Sequence, residues 1–248
     1  MVKELNNSAF CINLKHREDR WKLFSEEMNK FPDNFNIVRF EAIYDPIEPR
    51  MGCAKSHIRL IEIAKNKCMS AILILEDDVV FIEKPYAKIQ AVLSNLPNNW
   101  DILQLGVYET PIGEKIKENI YQIYYAQCTH CILYNHSVYD KIIAYDGKPL
   151  GIDDYISYLA ATGKINLYHL HPPIAFQRKG FSNIKNVEFD WNNNNHHLNK
   201  DYKYYRAVFE SIKEKNLEKI SRNIEEIRDN YLREQSRIML HKLSYNNP

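Results

Sequence analysis

Five consecutive apolar residues, Ala71-Ile72-Leu73-Ile74-Leu75, run without a break into three acids, Glu76-Asp77-Asp78. A half-buried strand would alternate apolar with polar side chains, and this run does not. It fits a strand buried on both faces, as at the centre of a parallel sheet. A sheet with such a strand needs a layer of helices on each side, which makes an α/β architecture the expectation.

The rest of the chain supplies those layers. Phe10 to Leu14, Ile37 to Phe40 with Ala42-Ile43, Asp101 to Leu105, Ile120 to Ala126, His130 to Tyr134 and Ile165 to Leu170 read as strands. Helical patterns fall around Trp21 to Met28, over 53–67, from Pro85 to Leu96, from Ser137 to Tyr145 and from Asp153 to Ala161. Asp153 or Asp154 is placed to cap the last of these. After Asn183 the composition shifts. Asn192 to Asn195 and His196-His197 form a low-complexity loop, and Asp201 to Leu243 is helical, with Ile220, Ile224, Ile227 and Tyr231 on one face. The expected organisation is one sheet domain over 1–185 and a loop with a helical extension over 186–248.

Lys and Arg number 33 against 32 Asp and Glu, a net charge of +1, which gives no support for nucleic-acid binding. Five cysteines is an odd count, and free thiols in a reducing compartment are the simplest reading. No apolar stretch approaches the length of a membrane span, and Met1 to Ala9 has no apolar targeting segment. A cytoplasmic location is the expectation. Cys128 and Cys131 have Cys-x-x-Cys spacing but no second pair, and on a strand they would point to opposite faces; both read as core.

In open α/β sheets ligands bind beyond the carboxyl ends of the strands. Three acids at such an end repel one another and raise one another's pKa. A cation offsets that cost, and hard dications such as Mg²⁺ or Mn²⁺ take oxygen ligands of this kind. A metal so held would bridge the phosphates of a nucleotide diphosphate and stabilise charge on the departing oxygen. A solvated acidic turn is the competing reading.

Ile12-Asn13-Leu14-x-x-Arg17-x-Asp19-Arg20, Gly52-Cys53-Ala54-x-Ser56-His57, Leu75-Glu76-Asp77-Asp78-Val79, Asp101-Ile102-Leu103-x-Leu105-Gly106 and Asp153-Asp154-Tyr155 follow one another along the chain. Together they resemble the successive motifs of glycosyltransferase family 25, which contains lipooligosaccharide and procollagen hydroxylysine galactosyltransferases. The resemblance implies a GT-A-like nucleotide-binding sheet. It also implies Mn²⁺ and inverting transfer of galactose or glucose from a UDP-sugar to a hydroxyl of a glycan or hydroxylysine.

The roles then distribute as follows. Asp78, furthest from the strand and expected to be the most exposed acid, is the leading metal ligand, with Glu76 and His171 as further ligands. Glu76 and Asp77 are also placed to hold the ribose or a second metal site. Asn13 would read base or ribose, Arg17 would neutralise phosphate, and Arg20 would do so too or pair with Asp19 or Glu18. The resemblance points Ser56 and His57 at the donor, against the alternative of a buried histidine satisfied by a backbone carbonyl. Inverting transfer needs a base for the acceptor hydroxyl; Asp154, then Asp153, are the candidates. Gln177 is placed to contact the sugar.

Two other functions compete: a binding or scaffold protein of the same fold with weak or no turnover, and a metal-dependent nucleotidyltransferase. The second is disfavoured by the absence of a Gly-rich phosphate loop. The C-terminal apolar stripe would pack on the chain's own domain or, second, form a homodimer.

Overall fold

A computed structural model describes residues 5, 7–145, 151–182, 184 and 187–189, the stretches 108–112 and 187–189 by their backbone only. Strands β1 (Ser8–Asn13), β2 (Asn36–Glu41) and β3 (Ala71–Glu76) alternate with helices α1 (Glu18–Glu27) and α2 (Pro49–Asn66). Then come β4 (Val79–Phe81), α3 (Pro85–Asn95), β5 (Ile102–Gln104), β6 (Tyr108–Lys117), β7 (Ile120–Gln127) and β8 (Cys131–Asn135). Helices α4 (Tyr139–Ile143) and α5 (Ile152–Ala161) precede β9 (Leu167–Leu170), β10 (Ala175–Gln177), β11 (Gly180–Ser182) and β12 (Val187–Phe189).

Eight strands form one sheet in the order β2-β1-β3-β8-β5-β9-β7-β6. β1 is parallel to both β2 and β3, while β8 runs antiparallel between β3 and β5. β9 returns parallel to β5, and β7 pairs antiparallel with β9 and with β6. The α/β class stands, as a mixed sheet rather than an all-parallel one. β3, the third strand in that order, lies in the sheet interior and is buried from Ala71 to Leu75.

Strand alternation divides β3 between two cores. Leu73 and Leu75 join Phe24 of α1 and Ile89 of α3 on one face. Ile72 and Ile74 join Leu60 and Ile61 of α2 and Ile156 of α5 on the other. Each such side chain contributes about 1.5–3 kcal/mol by leaving water.

Several boundaries differ from expectation. Helix α2 begins at Pro49, whose missing N–H and fixed φ suit a first helical position. Its buried face is Ala54, Ser56, His57, Leu60, Ile61 and Ala64, so two polar residues share the stripe and Ile58 is only half-buried. Helix α5 begins at Ile152 behind Gly151, with no side-chain cap, which corrects the capping role expected of Asp153 or Asp154. Both acids lie inside the first turn, where the helix dipole favours them. The helix expected from Ser137 to Tyr145 is a short 3₁₀ turn followed by α4.

The short pair β11–β12 crosses the expected boundary at 185. The expected C-terminal loop and helices lie outside the described residues. Among the described residues no helix is long and apolar enough to cross a membrane.

Candidate active site

The alternation that splits the core also splits the acids. Continuing the phase of Ile72 and Ile74, Glu76 turns toward α2, and Asp77 turns the opposite way toward α1. Glu76 Oε1 lies 3.2 Å from His57 Nε2 and accepts from Thr129 Oγ1 at 2.7 Å. His57 is fully buried, and its Nδ1 sits 3.3 Å from the Tyr134 hydroxyl. Burial pushes Glu76 up, but the His57 hydrogen bond and charge, helped by Thr129, hold its carboxyl below the ordinary value.

Asp77 is clamped from two sides. Asn13 Nδ2 donates to Asp77 Oδ2 at 2.6 Å, and Arg20 donates to Oδ1 at 2.8 Å. Register explains the first contact: Ile12 of β1 pairs with Glu76, so Asn13 falls beside Asp77. Asn13 also donates to the Arg17 carbonyl at 3.1 Å and accepts from Arg39 Nε at 2.9 Å. Its amide is committed within the protein, at 1% exposure. Burial holds the Asp77 carboxyl above its usual value, with Arg20 and Asn13 pulling the other way.

Asp78 is the least compensated of the three. Its Oδ2 accepts a long bond from Gln177 Nε2 at 3.4 Å and lies 3.8 Å from Arg20. Its Oδ1 is buried with no hydrogen-bond partner among the described residues. Burial, then the charges of Glu76 and Asp77, push its carboxyl up to about 7. The expectation that Asp78 is the most exposed acid is corrected: its side chain is 15% exposed, against 17% for Glu76 and 8% for Asp77. The cause is β10, which pairs antiparallel with β4 and sets Gln177 opposite Val79.

The pairing with Asp19 or Glu18 weighed for Arg20 is taken by other arginines, Asp19 by Arg17 and Glu18 by Arg39. Arg17 forks onto Asp19 at 2.8 and 2.9 Å, on the rim. Arg20 enters the cluster and bonds the Phe181 carbonyl at 2.7 Å as well. Ser56 does not project from its helix into the cluster. Its hydroxyl donates to the Gly52 carbonyl at 2.7 Å and accepts from Ile43 N–H at 2.8 Å, stapling the segment after β2 onto α2.

His171 is exposed. Its ring packs edge-on to Tyr121 at 5.5 Å and lies 6.2 Å from that of His169, and no contact among the described residues joins it to Glu76 or Asp78.

The Asp153–Asp154 pair reaches the site through the turn before β8. Asp153 Oδ2 accepts from the Cys128 N–H at 3.1 Å and Oδ1 from the Asp154 N–H at 3.0 Å. Cys128 Sγ then donates to Gln177 Oε1 at 3.1 Å. A hydrogen-bonded chain thus runs Asp153–Cys128–Gln177–Asp78. Cys128 has a φ of 76°, a left-handed turn rather than a strand, so its thiol faces Gln177 and the core reading of Cys128 is corrected. Cys131 is buried in β8 as expected, and both are free thiols.

Arg39, Thr129 and Tyr134 escaped the sequence reading. Arg39 bonds Asn13 and Glu18 and stacks on Trp21 at 4.8 Å. Thr129 and Tyr134 belong to β8 and the turn before it, and only the antiparallel pairing Leu75↔Cys131 brings them to Glu76 and His57.

The fold and site define an α/β protein with a carboxylate-rich edge that holds, among the described residues, a buried carboxylate oxygen without a hydrogen-bond partner. Residues 47–163 match the family model of glycosyltransferase family 25 (LPS biosynthesis protein). The span holds the motifs at Gly52–His57, Glu76–Asp78, Asp101–Gly106 and Asp153–Tyr155; Asn13, Arg17, Arg20 and His171 lie outside it.

No curated protein matches the chain. Among solved structures it is similar to a protein from STIV at a TM-score of 0.44 and 15% identity, over 74% of this chain and 94% of the other. A mutant Drosophila beta-1,4-galactosyltransferase 7, in complex with manganese, UDP-Gal and xylobiose, aligns at a TM-score of 0.41 and 9% identity, over 78% of this chain and 74% of the other. A Bacillus anthracis glucose-1-phosphate thymidylyltransferase bound to sucrose aligns at 0.37 and 12%, over 68% and 69%.

Proposed function

We propose that this chain is a metal-dependent inverting glycosyltransferase of glycan biosynthesis. It would move a hexose, galactose or glucose, from a UDP-sugar to a hydroxyl of a glycan or hydroxylysine, on a GT-A-like sheet. The observation that carries the reading is Asp78 Oδ1, a buried carboxylate oxygen without a partner among the described residues, in a three-acid cluster at the end of the interior strand β3. An uncompensated buried anion is costly, and Mn²⁺ or Mg²⁺ is the counterion its chemistry fits. Asp78 would hold that ion, with the second oxygen of Glu76, which has no partner among the described residues, beside it. When bound, the ion would neutralise the diphosphate of the leaving nucleotide.

The chain's own residues do the rest. Arg20, Asn13 and Arg39 fix Asp77 and keep the edge in place. Arg20 also adds positive charge where a diphosphate would lie. Gln177, within hydrogen-bonding reach of Asp78, is placed to touch the sugar or to steady Asp78. Asp153 or Asp154 takes the proton of the acceptor hydroxyl. The hydrogen bonds through Cys128 and Gln177 support this, because they connect that pair to the metal edge.

The test is UDP release from UDP-galactose and UDP-glucose, with Mn²⁺ and again after chelation. Release should require the metal and vanish in Asp78→Ala. Turnover that survives both chelation and that substitution would sink the reading.

A further inference from the structure

The inner side of Glu76 faces a second set of donors that the transfer reaction does not use. Cys53 and His57 lie four residues apart on α2, hence on one face of it. The phase of β3 turns Glu76 onto that same face. One ligand atom from each of the three, a thiol sulfur, an imidazole nitrogen and a carboxylate oxygen, lies within 4.8 Å of the other two. Outer partners already orient two of them: Tyr134 hydroxyl at His57 Nδ1, 3.3 Å, and Thr129 hydroxyl on Glu76 Oε1, 2.7 Å. Metal-binding histidines are characteristically held in this way by a bond to the other ring nitrogen. The 3.2 Å approach of His57 Nε2 to Glu76 Oε1 needs a proton between them; a cation would take that proton's place, the imidazole then carrying its proton on Nδ1, facing the Tyr134 hydroxyl.

We infer that Cys53, His57 and Glu76 form a second cation site, selective for a borderline transition-metal ion such as Zn²⁺, on the helix side of Glu76. Sulfur and imidazole donors favour Zn²⁺ over Mg²⁺ or Mn²⁺, which prefer all-oxygen ligands. On binding, the thiol gives up its proton to water and the thiolate joins the ion. Three protein ligands leave one coordination position for water. The ion would tie α2 to the end of β3 and fix Glu76. The site does not depend on what the Asp78 edge transfers.

Cobalt provides the probe. The full-length chain, stripped with chelator and kept reduced, is titrated with Co²⁺ alone. A near-ultraviolet thiolate-to-cobalt charge-transfer band should appear and saturate at one ion per chain. Zn²⁺ should displace it and Mg²⁺ should not. Cys53→Ser should abolish the band, His57→Gln should weaken Co²⁺ binding at least tenfold, and Asp78→Asn should keep it. Absence of the band, or a band unchanged in Cys53→Ser, overturns the proposal. Should a variant fail to fold, X-ray absorption at the zinc edge of the wild-type chain decides: one sulfur in the coordination shell is expected, and none overturns it. Neither readout involves UDP-sugar turnover, so failure here and failure of the transferase reading are separable.

Discussion

At Asp78 burial and two adjacent carboxylates act together against ionisation, and the group titrates near 7 instead of the usual 3.8. Below pH 4 it is protonated in folded and unfolded chains alike. Between pH 4 and 7 the folded chain keeps a proton that the unfolded chain has released. Asp78 therefore contributes stability at low pH that is lost as pH rises through 7. Asp78→Asn removes the buried charge and should stabilise the metal-free protein at pH 8 by about 1–3 kcal/mol. A melting-temperature comparison at pH 5 and pH 8 checks this; a variant less stable than wild type at pH 8 contradicts it. The same variant should lose transfer activity, the usual exchange between a strained site and stability. The three acids were legible because they interrupt an apolar run. Which of them lacks a partner was not, because that depends on Asn13, Arg20 and His57, which reach the cluster from other elements.

Among the elements, β3 announced itself because both its faces are buried, leaving five apolar residues in a row. β6 did not. Pro111 and Gly113 interrupt it, and both are strand-breaking signals tolerated at an irregular pairing such as the shifted register of β6 with β7. The three-residue strands β4 and β10 carry no periodicity of their own, yet their pairing covers Asp78. Helix α2 was legible as a helix, but its polar residues were not assignable. Ser56 proves to be a staple, its hydroxyl closing off the Ile43 N–H and the Gly52 carbonyl. Ser56→Ala should therefore cost about 1–2 kcal/mol, because it leaves a backbone N–H without an acceptor. Urea denaturation measures that cost. UDP affinity at saturating metal should stay within a factor of two; a tenfold loss would instead return Ser56 to the donor site.

For the whole molecule, the proposed function would make the sheet edge couple ligand binding, protonation and folding. A ligand that binds only the folded chain stabilises it by about 2.7 kcal/mol at a hundred times its Kd. In a chain of this size that raises the melting temperature by about 5–10 °C. Mn²⁺ with UDP at such concentrations should produce this rise at pH 8. It should fail to do so in Asp78→Asn, even though that variant begins from a higher baseline. At pH 6 the Asp78 carboxyl, pushed up to about 7, is mostly protonated, and a metal held there would have to displace that proton. Affinity at the same ligand concentrations should fall by about tenfold, which removes about 1.4 kcal/mol of the stabilisation. The ligand-induced shift in melting temperature, measured by calorimetry from pH 6 to pH 8, should therefore grow with pH while the metal-free protein loses stability. If the shift were flat across that range, or as large in Asp78→Asn as in wild type, the cation would have to lie elsewhere than against Asp78.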